Sequence, residues 1–536
     1  MPRPRQGQAS GSSHGRKACI RRAPHSIVSA RHQPTGINMT FRTYGDVVAH
    51  LEGLGLFHMD FGLDRMHAAL AALDLTRPPY AVAQVVGTNG KGSTSTFLAS
   101  IAQAHGLRTG LYTSPHFITP RERIRIDGRM LEADQWPLLG NRILDAGGAN
   151  LTYFEFLTVL GALAFREAGV DMAVIEAGLG GTWDATTALA ADILCVTPIG
   201  LDHQHVLGPT ITAIATDKAG AMREGHVALT APQCGEAFSA LAQAAATRGT
   251  RLVQTAATTT LPAGTHLGLA GPHQRDNATL ALAAWRTIAA TRGWTPSEAA
   301  ERHGLASAHI AGRFQRVEVR LSDLPVAGVR PADVLPAGFH PSDTHPARIL
   351  PADSCPSENC PSGDCPAGPP PDVTIPSSIE DTPDADTTNP HPCRSLPFIL
   401  DGAHNTHGLT ALRTALEAQG LRPAAVIFSC LADKDTEALV PLLHDIAAGA
   451  PVIVPTIADN ERAADGATLA RRMGPNARAV PRLHDALHEA ARLAGDVTPK
   501  HPVLLCGSLY LLAEFFTLRP DLLESPAEAT GCAASR

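Results

Sequence analysis

Ala81-Val82-Ala83-Gln84-Val85-Val86-Gly87-Thr88-Asn89-Gly90-Lys91-Gly92-Ser93 is the stretch whose reading decides the fold. Ala81 to Val86 is an apolar run of strand length, and Thr94 to His105 behind the glycines reads as a helix. Strand, glycine turn and helix is the setting in which a glycine-rich motif cradles phosphate. Glycines let the backbone approach an anion and take up positive φ. The unpaired N–H groups of the helix start, with the helix dipole, attract the anion. Lys91 adds a mobile point charge for the β and γ oxygens. The spacing departs from the strict Walker pattern. Val85 stands where its first glycine belongs, and Gly92 takes the place of the metal-binding hydroxyl after the lysine. By itself the loop reads either as a phosphate cradle or as a tight turn.

The chain has 536 residues, too many for one core, so two domains are expected. Its 44% hydrophobic content is ordinary for a globular protein. A net charge of −7 argues against a nucleic-acid binder. No apolar run reaches the length of a membrane span, roughly 18 residues. The ten cysteines are scattered, which fits a reducing compartment; a cytoplasmic monomer acting on small molecules is expected.

Residues 1–38 hold seven Arg/Lys and no Asp or Glu. They lack the apolar segment of a secretory signal, although the composition also suits a transit peptide. They are read as a disordered basic extension or as a start assigned too early. Met39 is a natural beginning, just before a helix from Tyr44 to Leu54.

From residue 39 to 312 the pattern is α/β. Strand-like runs recur at Met172–Glu176, Ile193–Pro198 and, more weakly, Val227–Thr230, with helical stretches such as Glu155–Ala168 and Ile211–Ala221 between them. Alternation of this kind predicts a mostly parallel sheet covered on both faces. Ligands of such sheets gather beyond the carboxyl ends of the strands. Glu176 closes one strand, Asp202-His203 follows another, and Ser114 follows Gly110-Leu111-Tyr112-Thr113. A carboxylate, an imidazole and a hydroxyl can hold magnesium beside phosphates, since that ion keeps several waters and takes few protein ligands. Each also has an ordinary reading: a turn acid, a loop histidine, an N-cap.

From 313 to 536 a smaller Rossmann-like domain is expected. Its strand-like runs are Phe398–Leu400, Ala424–Phe428, Val452–Val454 and Val503–Leu505, and its clearest helical stretches Thr406–Gln419, Thr436–Ile446 and Arg482–Leu493. Asp433-Lys434-Asp435 reads as a solvated turn. Residues 324–395 interrupt this domain. They are rich in Pro, Asp, Ser and Thr, and cannot bury enough apolar surface to offset chain entropy, so a disordered insertion is predicted. Cys355, Cys360 and Cys365 recur every five residues there, which is not the paired spacing of a zinc site.

Several motifs then occur in order. They are GTNGKGS (87–93), YTSPHF (112–117) with RERIRI (121–126), TYFEF (152–156), EAGLGGTWDAT (176–186), GLDHQHVLG (200–208) and DKAG (217–220). GPHQRDN (271–277), GRFQ (312–315), LDGAHN (400–405) and CGSLYL (506–511) follow. The chain resembles the folylpolyglutamate synthase and dihydrofolate synthase family of the Mur ligase superfamily, from Met39 to about Leu518 outside the insertion.

The resemblance implies an ATP-dependent amide ligase with a P-loop ATPase domain of the Mur type. A substrate carboxylate would attack the γ-phosphate, and the amine of glutamate would displace phosphate from the acyl phosphate. It implies that Thr88, Asn89, Gly90, Lys91, Gly92, Ser93, Asn277, Arg313 and Asp401 serve ATP, with His404 beside them. Ser114, Glu176 and His203 would bind magnesium, with two ions expected. Thr152, Tyr153, Phe154, Glu155, Trp183, Asp184 and Ala185 match stretches that line the pterin pocket, and the loop from Asp60 to Leu63 resembles another pterin contact. Phe154 reads as a ring-stacking residue or as core, and Asp184 as a ring-amino partner or as a helix cap. Thr182 and Thr187 depart from the Arg and Asn common in the family. Lys218 matches the lysine that the family carbamylates, which with Lys91 and His404 completes the catalytic set.

Two other readings stand beside this one. One is a related ligase for another amino acid and carboxylate, such as a peptidoglycan-precursor ligase. The other is a non-catalytic nucleotide-binding regulator. The GKGS loop and the single large N-terminal ATPase domain favour the folate branch. A regulator leaves Lys91, Glu176, His203 and Lys218 unexplained.

Overall fold

The computed structural model describes residues 40–55, 60–324 and 395–523, apart from Asp433, Asp459, Glu461 and Asp496. The basic extension 1–38, nearly all of the insertion 324–395 with its three cysteines, and Asp433 lie outside the described residues.

Two sheets organise the chain. The first has eight strands: β1 (Ala81–Val86), β2 (Thr109–Tyr112), β3 (Ile124–Ile126), β4 (Arg129–Met130), β5 (Met172–Glu176), β6 (Ile193–Val196), β7 (Val227–Thr230) and β8 (Arg251–Gln254). Their order is β4-β3-β2-β5-β1-β6-β7-β8. The run from β2 to β8 is parallel, and β3 and β4 add an antiparallel edge. β1 and β5 are buried at every residue, as strands covered on both faces must be.

The second sheet has six strands: β9 (Gln315–Arg320), β10 (Ser395–Asp401), β11 (Ala425–Phe428), β12 (Val452–Pro455), β13 (Ala477–Val480) and β14 (Val503–Cys506), in the order β13-β12-β11-β14-β10-β9. Only the β9–β10 pair is antiparallel. Its helices include Thr406–Ala418, Thr436–Ala447 and Leu483–Leu493. Among the described residues no helix is long and apolar enough to cross a membrane.

Several details differ from the sequence expectation. The helix after the glycine loop begins at Lys91, not Thr94, because Gly90 in the left-handed region (φ 88°) ends the loop there. Lys91, Gly92 and Ser93 therefore own first-turn N–H groups that no earlier carbonyl of the helix can satisfy. β3, β4, β8, β9 and β13 were not anticipated. All lie at or beside a sheet edge and carry arginines, so hydrophobic alternation does not mark them.

One helix braces the first sheet from behind. Gln274–Arg292 buries Trp285, stacked on Trp294 with 6.0 Å between ring centroids. Gly304 lets the helix Glu298–Ser307 press against Lys91–Ala104; a Cβ there would lie 2.5 Å from Ile101 Cα. The two sheets also share an apolar cluster. Ile118 and Met130, beside β3 and β4, pack with Phe398, Phe515 and Phe516 of the second sheet's core, and Phe117 meets Phe516 at 4.9 Å.

The register places Arg320 opposite Ser395, so the two ends of the undescribed stretch 325–394 leave from neighbouring strands. Loop-closure entropy grows slowly with length. Replacing residues 331–390 by a short Gly/Ser linker is expected to keep the melting temperature within about 5 °C, since closure changes stability by only about 1 kcal/mol. Loss of the cooperative melt would show that the stretch holds β9 and β10 together.

Candidate functional site

The carboxyl ends of β1, β5 and β6 meet under the glycine loop. The N–H groups of Thr88 and Asn89 donate to Pro198 O at 3.1 and 3.2 Å. The Thr88 hydroxyl donates to Gly200 O and accepts from Gly200 N at 3.2 and 3.1 Å. Glycine is required twice. A Cβ on Gly87 would lie 1.9 Å from Thr197 Oγ1, and one on Gly90 would lie 2.3 Å from Asn277 Oδ1. Asn277 is buried and donates to Gln274 Oε1 at 3.0 Å; it supports the loop from below and does not line the cleft. Lys91 Nζ reaches back to Thr88 O at 3.3 Å.

Glu176 ends β5 on the cleft floor and is 4% exposed. Its Oε2 accepts from Ser114 N at 3.1 Å and lies 3.6 Å from where a Gly92 Cβ would stand. Burial pushes its pKa up, opposed first by Lys91, then by the Ser114 N–H, Arg313 and Arg123. A hard carboxylate on a cleft floor beside a phosphate-type loop, with its neighbour hydroxyl, fits magnesium. His203 lines the same cleft in a left-handed conformation (φ 49°), about half exposed, with Asp202 Oδ2 3.8 Å from its Nε2. Burial lowers its pKa, with Asp202 opposing and Lys91 and Lys218 reinforcing. Among the described residues no group of three or more His, Cys, Asp or Glu could hold a metal ion.

Lys218 is 3% exposed, and burial, then Lys91, lower its pKa to about 8 despite Asp217, Asp184 and Asp202. Asp217 beside it ties down the glycine turn after β5: Oδ1 accepts from Gly181 N at 2.9 Å and its carbonyl accepts from Thr182 N and Oγ1 at 3.0 and 2.9 Å. Thr182 and Thr187 thus have local work in this chain. Thr187 Oγ1 donates to Gly181 O at 2.7 Å and, with Thr186, accepts from buried Gln84 of β1.

The aromatic end of the cleft is mixed. Thr152 and Glu155 form a reciprocal capping box for the helix Tyr153–Ala168, and Glu155 also pairs with Arg65 at 3.0 Å. Asp184 accepts from Leu179 N and Thr186 N at 2.8 and 3.0 Å and from the Thr186 hydroxyl, so the capping reading is the one the geometry shows; Ala185 follows in the short turn it caps. Phe154 is half-buried over Gly178 and 5.8 Å from the Tyr112 ring. Trp183 at 54% and Phe61 at 65% exposure are the rings left open along this cleft, and Tyr153 is buried under Arg123.

The second sheet supplies the other wall. Asp401 ends β10 and accepts from Phe314 N and Ala403 N at 2.8 and 2.9 Å. Burial raises its pKa, and Arg313 is the chief opposing charge. His404 Nδ1 sits 2.8 Å from Gly402 O, and burial lowers its pKa. The whole cleft measures about 2070 Å³. That exceeds an ordinary single-ligand pocket, roughly 300–1,000 Å³. His116, Arg123, Arg65 and Asp217 were not singled out from the sequence as site residues. Arg65 and Asp217 act through partners 90 and 36 residues away, and His116 and Arg123 meet across a turn seven residues apart, which no spacing rule marks.

A phosphate-type loop on one α/β sheet faces an arginine and an aspartate from a second across one cleft, and the comparisons place this arrangement in the Mur ligase class. Residues 391–509 match the family model "Mur ligase, glutamate ligase domain". Folylpolyglutamate synthase of Lacticaseibacillus casei is 28% identical over 455 residues, covering 80% of this chain and 87% of the relative. Dihydrofolate synthase/folylpolyglutamate synthase of Escherichia coli is 35% identical over 283 residues, 50% and 66% of the two chains. Among solved structures, E. coli FolC in complex with DHPP and ADP superposes with a TM-score of 0.66 at 26% identity, covering 90% of this chain and 99% of its own. A bifunctional folylpolyglutamate synthase/dihydrofolate synthase with Mn, AMPPNP and L-glutamate bound gives 0.65 at 25% identity over 90% and 99%. The chain belongs to the folylpolyglutamate synthase/dihydrofolate synthase family.

The Gly90 geometry gives a direct check. Gly90→Ala needs both a left-handed alanine, costing about 1–2 kcal/mol, and displacement of Asn277. It is expected to weaken ADP binding by about tenfold or more in calorimetry and to lower the melting temperature. An unchanged isotherm would detach the loop from nucleotide binding.

Proposed function

We propose that the protein joins L-glutamate to dihydropteroate and to folate mono- or polyglutamates, at the expense of ATP. The observation that carries this is the single cleft in which Lys91 and Glu176 of the first lobe face Arg313, Asp401 and His404 of the second. Residues 39–312 form the proposed nucleotide-binding unit and 313–536 the proposed glutamate-ligase unit. Both walls come from one chain, which supports a monomer as the working unit. The described cysteines are free, which supports a reducing compartment such as the cytoplasm.

In this reading the first-turn N–H groups of Lys91, Gly92 and Ser93 and the Lys91 ammonium hold the triphosphate. Arg313 approaches it from the other lobe, while Asp401 holds the backbone of Phe314 and Ala403 and attracts Arg313. Ser114, Glu176 and His203 would hold magnesium, which when bound neutralises phosphate charge; a second ion is part of the proposal. Phe154 and Trp183 would contact a flat ring. The substrate carboxylate attacks γ-phosphorus, and the glutamate amine then displaces phosphate. The protein supplies alignment and charge neutralisation. His404, whose pKa burial lowers, would orient the incoming amine.

Lys218 enters as a carbamate. An ammonium behind Lys91 repels it, whereas a carbamate is an anion of the kind a second cation or its water shell requires. Formation needs the neutral amine, and a lysine held at about 8 releases its proton far more readily than one near 10.5. The neutral fraction rises with pH through about 8, so incorporation of ¹³C-bicarbonate at Lys218 is expected to rise between about pH 7 and 9. Flat incorporation over that range would contradict this. Lys218→Ala is expected to lose about a hundredfold or more in turnover and to regain part of it with acetate. Full activity without acetate would exclude the modified lysine.

The defining experiment is a substrate panel read by mass spectrometry. Products one glutamate heavier are expected from dihydropteroate and from a reduced folate monoglutamate, with phosphate released only when ATP, acceptor and glutamate are all present. Activity on UDP-muramyl substrates and none on pterins would move the protein to another branch of the class.

A further inference from the structure

We propose that Arg123, with His116 beside it, receives the carboxylate of the acceptor substrate, the group that is to be phosphorylated. This rests on the ligase reading above.

Arg123 ends the short turn Pro120–Arg123 and is 5% exposed. Its Nε–H donates to His116 Nδ1 at 2.8 Å, and its guanidinium carbon stands 5.7 Å from the Tyr153 ring centroid. Among the described residues no carboxylate lies within ion-pair distance of it, and no protein oxygen accepts from its terminal amino groups. Those nitrogens are not sealed in the core, and the residue lines the cleft. They open onto it.

A buried cation is costly unless an anion meets it. Other arginines of this lobe are matched: Arg65 with Glu155 at 3.0 Å, Arg286 with Glu301 at 2.7 Å, Arg292 with Asp192 at 2.9 Å. Arg123 is more buried than these, its hydrogen-bond partner is a neutral imidazole, and the Glu176 carboxylate meets its charge without an ion pair at contact distance. That leaves its terminal amino groups for an external anion.

His116 supplies a second donor. Because Nδ1 accepts from Arg123, the ring proton sits on Nε2. A guanidinium beside an imidazole N–H suits the two oxygens of a carboxylate.

Position selects which anion. On one side Arg123 packs on Tyr153, the neighbour of Phe154 at the aromatic end. On the other, its charge reaches Glu176 at the phosphate-loop end. A ligand with its flat ring at the aromatic end and its acid pointing toward the loop brings that acid to Arg123. The nucleotide phosphates already have Lys91, the helix N-terminus and Arg313. In the transfer a carboxylate oxygen bonds to γ-phosphorus while the bond from γ-phosphorus to the β,γ-bridging oxygen breaks, and ADP leaves with that electron pair. Arg123 exchanges no proton. It orients the nucleophile and offsets the repulsion between two anions.

The test compares 7,8-dihydropteroate with its carboxamide, titrated into full-length protein with ADP and magnesium. Wild type is expected to bind the acid about tenfold or more tighter than the amide. Arg123→Met is expected to bind the two alike, with ADP affinity within about twofold of wild type; His116→Ala should lower the acid-to-amide ratio by about threefold. A merely structural residue would weaken acid and amide together and leave the ratio intact, which overturns the assignment. So does a selective loss of ADP affinity, which would make Arg123 a phosphate ligand. If Arg123→Met fails to melt cooperatively, Arg123→Lys is used; a ratio that falls supports the subsite and an unchanged one overturns it. Wild-type protein that binds neither pterin would overturn the folate reading itself.

Discussion

Glu176 is a carboxylate buried at the end of the strand that lies next to the phosphate loop, and the rest of the cleft depends on that charge. An isolated buried carboxylate is costly and drifts toward its protonated form. Three cations hold it against that drift: Lys91 from the loop, Arg313 from the second lobe and Arg123 from the edge of the first sheet. They belong to different elements, so both lobes contribute positive charge around one anion. A divalent cation beside Glu176 would add to the same balance.

The second dependency is close backbone approach. Gly87 sits against Thr197, and Gly90 against Asn277. The loop is thereby clamped between the exit of β6 and the helix Gln274–Arg292, itself anchored by Trp285. Contact between the lobes is apolar where Ile118 and Met130 join the second sheet's core, and beside it Arg125 of β3 donates to Leu523 O at 3.2 Å.

Much of this was legible in the sequence, because central parallel strands are nearly continuous apolar runs. β1, β5 and β7 stand at the expected residues, Glu176 ends β5 as that pattern requires, and His203 follows β6 after a loop; Asp401, which the resemblance marked, ends β10. Edge strands β8 and β13 were not legible, since half-exposed arginine-bearing segments carry no apolar alternation. The start of the helix at Lys91 depended on a left-handed Gly90, a conformation that composition permits without demanding. Thr152 and Glu155 carried a capping-box spacing inside a stretch resembling a pterin contact, and in the fold they cap. The Arg123–His116 pair needed a turn, a sheet edge and the absence of a nearby carboxylate, none of which a spacing encodes.

The central claim is that the acceptor's carboxylate is phosphorylated in the cleft between the lobes before glutamate attacks. The most direct measurement follows oxygen. Dihydropteroate labelled with ¹⁸O in its carboxylate is turned over with unlabelled ATP and glutamate, and the released phosphate is analysed by mass. One labelled oxygen in each phosphate is the expected result, because the acyl-phosphate bridge carries that atom away. Unlabelled phosphate, with the product amide formed at the same rate, would contradict the account.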